Sequence, residues 1–191
     1  MIDPTVPTNF NRTQSELEEW LLFCVVVAGK SSFQQAKKLD EFLKLEPEGN
    51  SPFVKLRKMD EKKMLRHNLE QVRMGQYNRI ESAFRGAMWF APKSITLAQM
   101  ESIKGIGPKT ARFFFLHSFP NLQMAVLDTH ILAWMKDQGF NVPKSTPPRV
   151  KYKQIERWFL NICEDQKISP AELDAQIWNS RVKTQNFSLL T

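Results

Sequence analysis

Cysteine is scarce: the 191 residues contain two, Cys24 and Cys163. That count excludes a structural zinc held by thiolates and a four-cysteine iron-sulfur cluster. Each cysteine stands among apolar neighbours, the pattern of a small buried hydrophobe in a reducing compartment. Long hydrophobic runs are missing too. The longest, Leu21 to Ala28, is far short of the roughly 20 residues that a membrane span needs. Met1 to Asn11 carries acid and proline without the basic, apolar pattern of a signal peptide. The expectation is therefore a soluble, intracellular protein of the cytoplasm or nucleoid, or of the nucleus in a eukaryote. Acidic residues are outnumbered, 20 against 27 Lys and Arg, for a net charge of +7 and a pI near 9.5. Such an excess suits a polyanionic partner, because neutralising phosphates releases counterions, although a plain solvated surface accounts for it as well.

Strict apolar-polar alternation is almost absent, and internal repeats and low-complexity stretches are not found. Helical periodicity recurs instead, and it predicts an all-α protein of about nine helices around one core or two lobes that share one. Ser15 with Glu18 reads as a capping box that opens a first helix carrying Leu17, Trp20, Leu21, Cys24 and Ala28 on one face. Gly29 breaks it. A second pattern from Ser32 sets Phe33, Ala36, Leu39 and Leu43 on the apolar side, and the loop 46–52 ends that pair. Further helices are expected over 52–68 and 77–90, the second stopped by Pro92. Thr96 with Gln99 is another capping box, and Pro108 stands where a first helical residue belongs. A helix over 128–138 with Gly139 as its C-terminal cap follows, then a linker over 143–148. A helix with Tyr152, Ile155, Phe159 and Ile162 on one face comes next, and a last one opens at Ser169-Pro170-Ala171-Glu172.

The informative segment is Ile103-Lys104-Gly105-Ile106-Gly107-Pro108-Lys109-Thr110-Ala111. A short helix, a Gly-apolar-Gly turn and a second helix leave backbone amides free at a helix N-terminus, where an anion can satisfy them. Without side chains at Gly105 and Gly107 the backbone can approach a phosphate closely. The segment reads as a DNA-backbone clamp that carries no sequence information, or as a tight turn between packed helices.

This segment resembles the helix-hairpin-helix of the DNA glycosylase superfamily that includes endonuclease III and the 8-oxoguanine glycosylases. Lys109, two residues after the second glycine, matches the position of the nucleophile in the bifunctional members. Asp128, in Ala125-Val126-Leu127-Asp128-Thr129-His130, matches the catalytic aspartate nineteen residues further on. The resemblance implies a DNA base-excision repair enzyme that is both glycosylase and abasic-site lyase and needs no metal or organic cofactor. A neutral lysine amine attacks C1′ of the sugar, expels the base and leaves a Schiff base, which permits strand cleavage by β-elimination. A carboxylate opposite stabilises the oxocarbenium-like charge as the base departs. On the residues alone, Lys109 can equally be a phosphate contact in a non-catalytic binding module, and Asp128 an N-cap, or both cap and catalyst. Gly105, Gly107 and Thr110 are the expected backbone contacts, with His130 as a further phosphate ligand or simply a satisfied histidine.

The compact archaeal-type 8-oxoguanine glycosylase/lyases agree best, since an endonuclease III-like enzyme normally carries a carboxy-terminal iron-sulfur cluster. An enzyme of that type without the cluster, acting on oxidised pyrimidines, is the alternative. Three features point to the 8-oxoguanine group: Arg73-Met74-Gly75-Gln76-Tyr77-Asn78-Arg79 before the hairpin, the longer Lys109 to Asp128 spacing, and Asp174-Ala175-Gln176-Ile177-Trp178. Asp174 and Trp178 share a helical face, where a carboxylate can accept a ring N–H of an oxidised purine and an aromatic ring can wall the slot; a capped surface acid and a core tryptophan are the plain alternative. The segment 179–191 runs on beyond that group's usual ending. Lys30 and Ser31, in the turn after the first helix, are candidates to fill the gap left by the flipped base. The resemblance also implies two lobes with the site in the cleft between them: an extension over 1–13, a terminal lobe of 14–45 plus 137–191, and a central lobe of 46–136 carrying the hairpin at 96–118. The expected partner is double-stranded DNA with a damaged base, bound by a monomer without membrane attachment.

Overall fold

The computed structural model describes residues 2–188, with side chains described as far as Arg181. Ten α-helices and no strand are found among the described residues: α1 (Gln14–Val26), α2 (Ser32–Lys44), α3 (Pro52–Glu61), α4 (Leu65–Gln71), α5 (Tyr77–Ala87), α6 (Leu97–Ser102), α7 (Pro108–Leu116), α8 (Thr129–Asp137), α9 (Arg149–Gln166) and α10 (Pro170–Ser188). The all-α expectation holds, with one helix more than the periodicity suggests. The stretch 52–68 is not one helix, because Lys63 takes a left-handed φ of 57° that ends α3 before α4 begins.

Helix α1 is buried almost all round, which is why its start is hard to read from periodicity. The capping box is Thr13 with Glu16, not Ser15 with Glu18. Glu18 acts elsewhere, since its buried carboxylate accepts the Phe53 amide at 3.0 Å and so satisfies a free donor at the start of α3. On α2 the side chain of Phe33 is 58% exposed while Gln35 is buried, so the apolar stripe is narrower than its hydrophobic residues imply. On α9 Cys163 takes the buried place expected of Ile162. Both cysteines are free and buried. Gly139, at φ 88°, closes α8 as expected, with the Phe140 amide bonded back to the Met135 carbonyl at 3.1 Å. No helix among the described residues is long and apolar enough to cross a membrane.

The buried side chains fall into two main clusters. One joins α1 through α7; the other joins α8, α9 and α10 with Ala125 and Leu127. Among the described residues, the buried side chains of 14–45 cluster with those of the central helices, because α1 presents buried residues to α7, α2, α3 and α5 at once. The irregular residues 2–12 lie against the end of α7, where the Asn9 amide and the Arg12 guanidinium both bond the His117 carbonyl.

Candidate active site

The hairpin is built as its residue types require. Thr96 and Gln99 cap α6 reciprocally, and Ile103 and Ile106 turn inward to anchor the connection. Gly105 has φ 96°, and a Cβ there would stand 2.5 Å from the Arg79 carbonyl oxygen, so both conformation and close approach demand glycine. Gly107 is different: its backbone is extended, and a Cβ added there would meet nothing within 4 Å. It serves as N-cap of α7 with no side chain capping it, and Pro108 is the first helical residue. The first-turn amides of α7 are left for an acceptor from outside.

Lys109 is half-buried in that first turn, its ammonium 4.8 Å from the centre of the Phe113 ring. Phe113 packs on Trp20 of α1, centroids 5.2 Å apart, and meets the edge of His117 at 5.2 Å. Lys109, Phe113 and His117 recur at intervals of four and form one stripe along α7. At its end His117 is fully buried, with Nδ1 2.7 Å from Thr8 Oγ1 and Nε2 3.2 Å from Asp174 Oδ2.

Asp128 is the N-cap of α8, one carboxylate oxygen accepting the amides of His130 and Ile131 at 2.9 Å each. The other carries no hydrogen bond among the described residues. Both alternatives raised by the sequence are therefore compatible: the residue caps, and it keeps an oxygen for other use.

Asp174 is buried beside His117. Burial pushes its carboxyl above the usual range, His117 pulls it back, the charge of Asp128 raises it and that of Lys109 lowers it. Among the described residues, its Oδ1 is buried without a partner. Lys109 also acts on the Cys24 thiol, which burial pushes well above its ordinary range.

Other expected residues are placed less simply. Thr110 is buried. His130 is half-buried, and its amide belongs to the cap of α8. Trp178 is half-buried one turn beyond Asp174. The Lys30 ammonium donates to the Met74 carbonyl at 2.5 Å, tying the turn after α1 to the turn before α5. Ser31 is exposed at the N-cap of α2. Within the second turn Arg73, Gly75 and Gln76 all have positive φ, and Arg79 donates to the carbonyls of Gly105 and Val25 at 3.2 and 2.9 Å. The end of the segment 179–191 lies outside the described residues.

His117 escapes sequence reasoning because a lone histidine at a helix end announces nothing, although its spacing of eight from Lys109 is a usable signal. Arg112, Glu101 and Glu156 are missed for a plainer reason: charged residues are usually on the surface, and only packing shows that Arg112 is buried between two carboxylates.

The fold and this arrangement define a helix-hairpin-helix protein with a lysine behind the hairpin and an aspartate capping a later helix. A family model described as 8-oxoguanine DNA glycosylase matches residues 7–168, and the chain belongs to that family. An 8-oxoguanine DNA glycosylase/AP lyase of Thermoplasma acidophilum is 38% identical over 85 residues, 44% of this chain and 40% of that protein. One of Methanocaldococcus jannaschii is 36% identical over 84 residues, 43% of this chain and 40% of that protein. The aligned stretches span less than half the length of these relatives. In fold the chain is similar to the crystal structure of the M. jannaschii 8-oxoguanine DNA glycosylase, with a TM-score of 0.65 and 23% identity over 92% of this chain and 83% of that one. It is equally similar, at TM-score 0.65 and 23% identity over 91% and 84%, to that enzyme in complex with a 15mer DNA containing 8-oxoguanine.

Proposed function

We propose that the chain is a bifunctional DNA glycosylase and abasic-site lyase of base-excision repair that removes 8-oxoguanine from duplex DNA. The observation that carries this reading is the pairing of Lys109, in the first turn of α7 behind the Gly105-Ile106-Gly107 hairpin, with Asp128 as the N-cap of α8, in a chain that the 8-oxoguanine DNA glycosylase family model matches over residues 7–168. The names of the relatives, and the DNA complex of the structural neighbour, support the substrate class.

The hairpin amides at Gly107 and beyond hold a backbone phosphate, with His130 as a further phosphate ligand. The neutral Lys109 amine attacks C1′, and the glycosidic bond electrons leave with the base, which takes up a proton. The unbonded oxygen of Asp128 stabilises the positive charge that develops on the sugar. Ring opening gives a protonated Schiff base; loss of the C2′ proton then expels the 3′ phosphate, and water releases the lysine. Asp174, through its free oxygen, accepts a ring N–H of the flipped purine, and Trp178 walls the slot.

Borohydride trapping tests the nucleophile. Wild-type protein forms a covalent adduct with an 8-oxoguanine duplex, and Lys109→Gln forms none; an adduct with the variant refutes the assignment. A panel with 8-oxoguanine, thymine glycol, uracil and alkylated adenine tests the substrate, and cleavage of pyrimidine lesions alone overturns it.

A further inference from the structure

Residues 122–128, which deliver Asp128, belong to no helix or strand, so no regular ladder holds their backbone. Side chains hold it instead. The Ala125 amide donates to Glu156 Oε1 at 3.0 Å, and the Ala125 carbonyl accepts the Tyr152 hydroxyl at 2.7 Å. The same hydroxyl accepts the Leu127 amide at 2.9 Å, and Thr146 donates to the Leu127 carbonyl at 3.0 Å. Asp128 is the next residue.

The same two α9 residues grip the helix that bears Lys109. Arg112, one turn beyond it, donates to Glu156 through Nε at 2.6 Å and through Nη2 at 3.2 Å, and its guanidinium lies 4.6 Å from the Tyr152 ring centre. Arg112 also pairs with Glu101 of α6, so both helices of the hairpin are joined to α9. Arg112 and Tyr152 are buried, and bonds in such surroundings fix position more firmly than exposed ones.

We propose that Tyr152 and Glu156, held by Arg112, are positioning residues that set where the Asp128 carboxylate stands relative to the Lys109 amine. The inference rests on the catalytic reading above. Neither residue touches the reacting atoms; each acts through the loop.

Tyr152→Phe keeps the ring and deletes both loop bonds, and Glu156→Gln keeps an acceptor for Ala125 while removing the charge that orients Arg112. With an 8-oxoguanine duplex under single-turnover conditions, both variants are expected to excise about tenfold or more slowly, the scale of a sub-ångström to ångström misplacement. Duplex affinity stays within about twofold, and the final yield of borohydride-trapped adduct equals that of wild type. Measured with the duplex in excess over the protein, that yield falls with the fraction of misfolded protein but not with slowed chemistry, so it separates positioning from lost structure. Excision within about twofold of wild type in both variants overturns the proposal, as does a rate loss matched by an equal loss of yield. A wild type that neither excises nor traps refutes the catalytic reading itself, and the inference falls with it without any variant being needed.

Discussion

The two hairpin glycines should respond oppositely to the same substitution. Alanine at Gly105 must adopt φ 96° and place its Cβ 2.5 Å from the Arg79 carbonyl oxygen and 3.2 Å from the Ala83 Cβ. The left-handed conformation costs about 1–2 kcal/mol, and relieving a contact with backbone on α5 adds about 1–2 kcal/mol at the lower end of overpacking penalties. Gly105→Ala should therefore lose about 2–4 kcal/mol, a fall in Tm of roughly 4–16 °C at the 2–4 °C per kcal/mol of a chain this size. Alanine at Gly107 meets nothing within 4 Å and needs no unusual φ, so Tm should hold. On the proposed reading its methyl, however, stands where a phosphate approaches the amides of α7, and losing one charge-assisted bond weakens duplex binding by about 1.5–3 kcal/mol. Thermal denaturation and fluorescence anisotropy with a labelled duplex measure the two effects. Equal Tm losses in both variants, or undiminished duplex affinity in Gly107→Ala, refute the division of labour.

Asp128 should separate its two roles. Asn keeps an acceptor for the amides of His130 and Ile131, so Asp128→Asn retains stability while excision falls by about 100-fold, and Asp128→Ala loses the cap as well, about 1 kcal/mol in denaturant titration; undiminished excision in Asp128→Asn leaves the residue a cap alone. Asp174 should give stability a pH dependence. Its folded pKa is raised above the ordinary 3.8 by burial, so the folded state binds the proton more tightly than the unfolded chain. That contribution is complete below pH 3.8 and is lost as pH rises through the folded value. The Tm of Asp174→Asn relative to wild type should therefore climb with pH from about 4 upward. A flat or falling difference contradicts the buried-acid account.

Much of the fold is legible in the chain because its signals are local. Thr96 with Gln99, Pro108 and Gly139 mark helix ends through interactions within five residues, and the helices begin or end there. The first capping box illustrates the limit. Thr13-Glu16 and Ser15-Glu18 are both acceptable on spacing, and the choice is made by Phe53, thirty-five residues away, whose amide needs the Glu18 carboxylate. Lys30 teaches the same lesson at the site, since nothing near it in sequence indicates that its ammonium is bound by Met74.

By itself the sequence determined the helical class, the Gly-Ile-Gly hairpin with Lys109 behind it, and Asp128 at the head of a later helix, because each depends on spacing within a helix or turn. Only tertiary structure decided that Asp174 is buried against His117, and that Tyr152 and Glu156 carry the loop before Asp128. The physical reason is that a buried ionisable or hydroxyl group is retained only where partners satisfy it. Those partners come from helices distant in the chain, so no local pattern announces them.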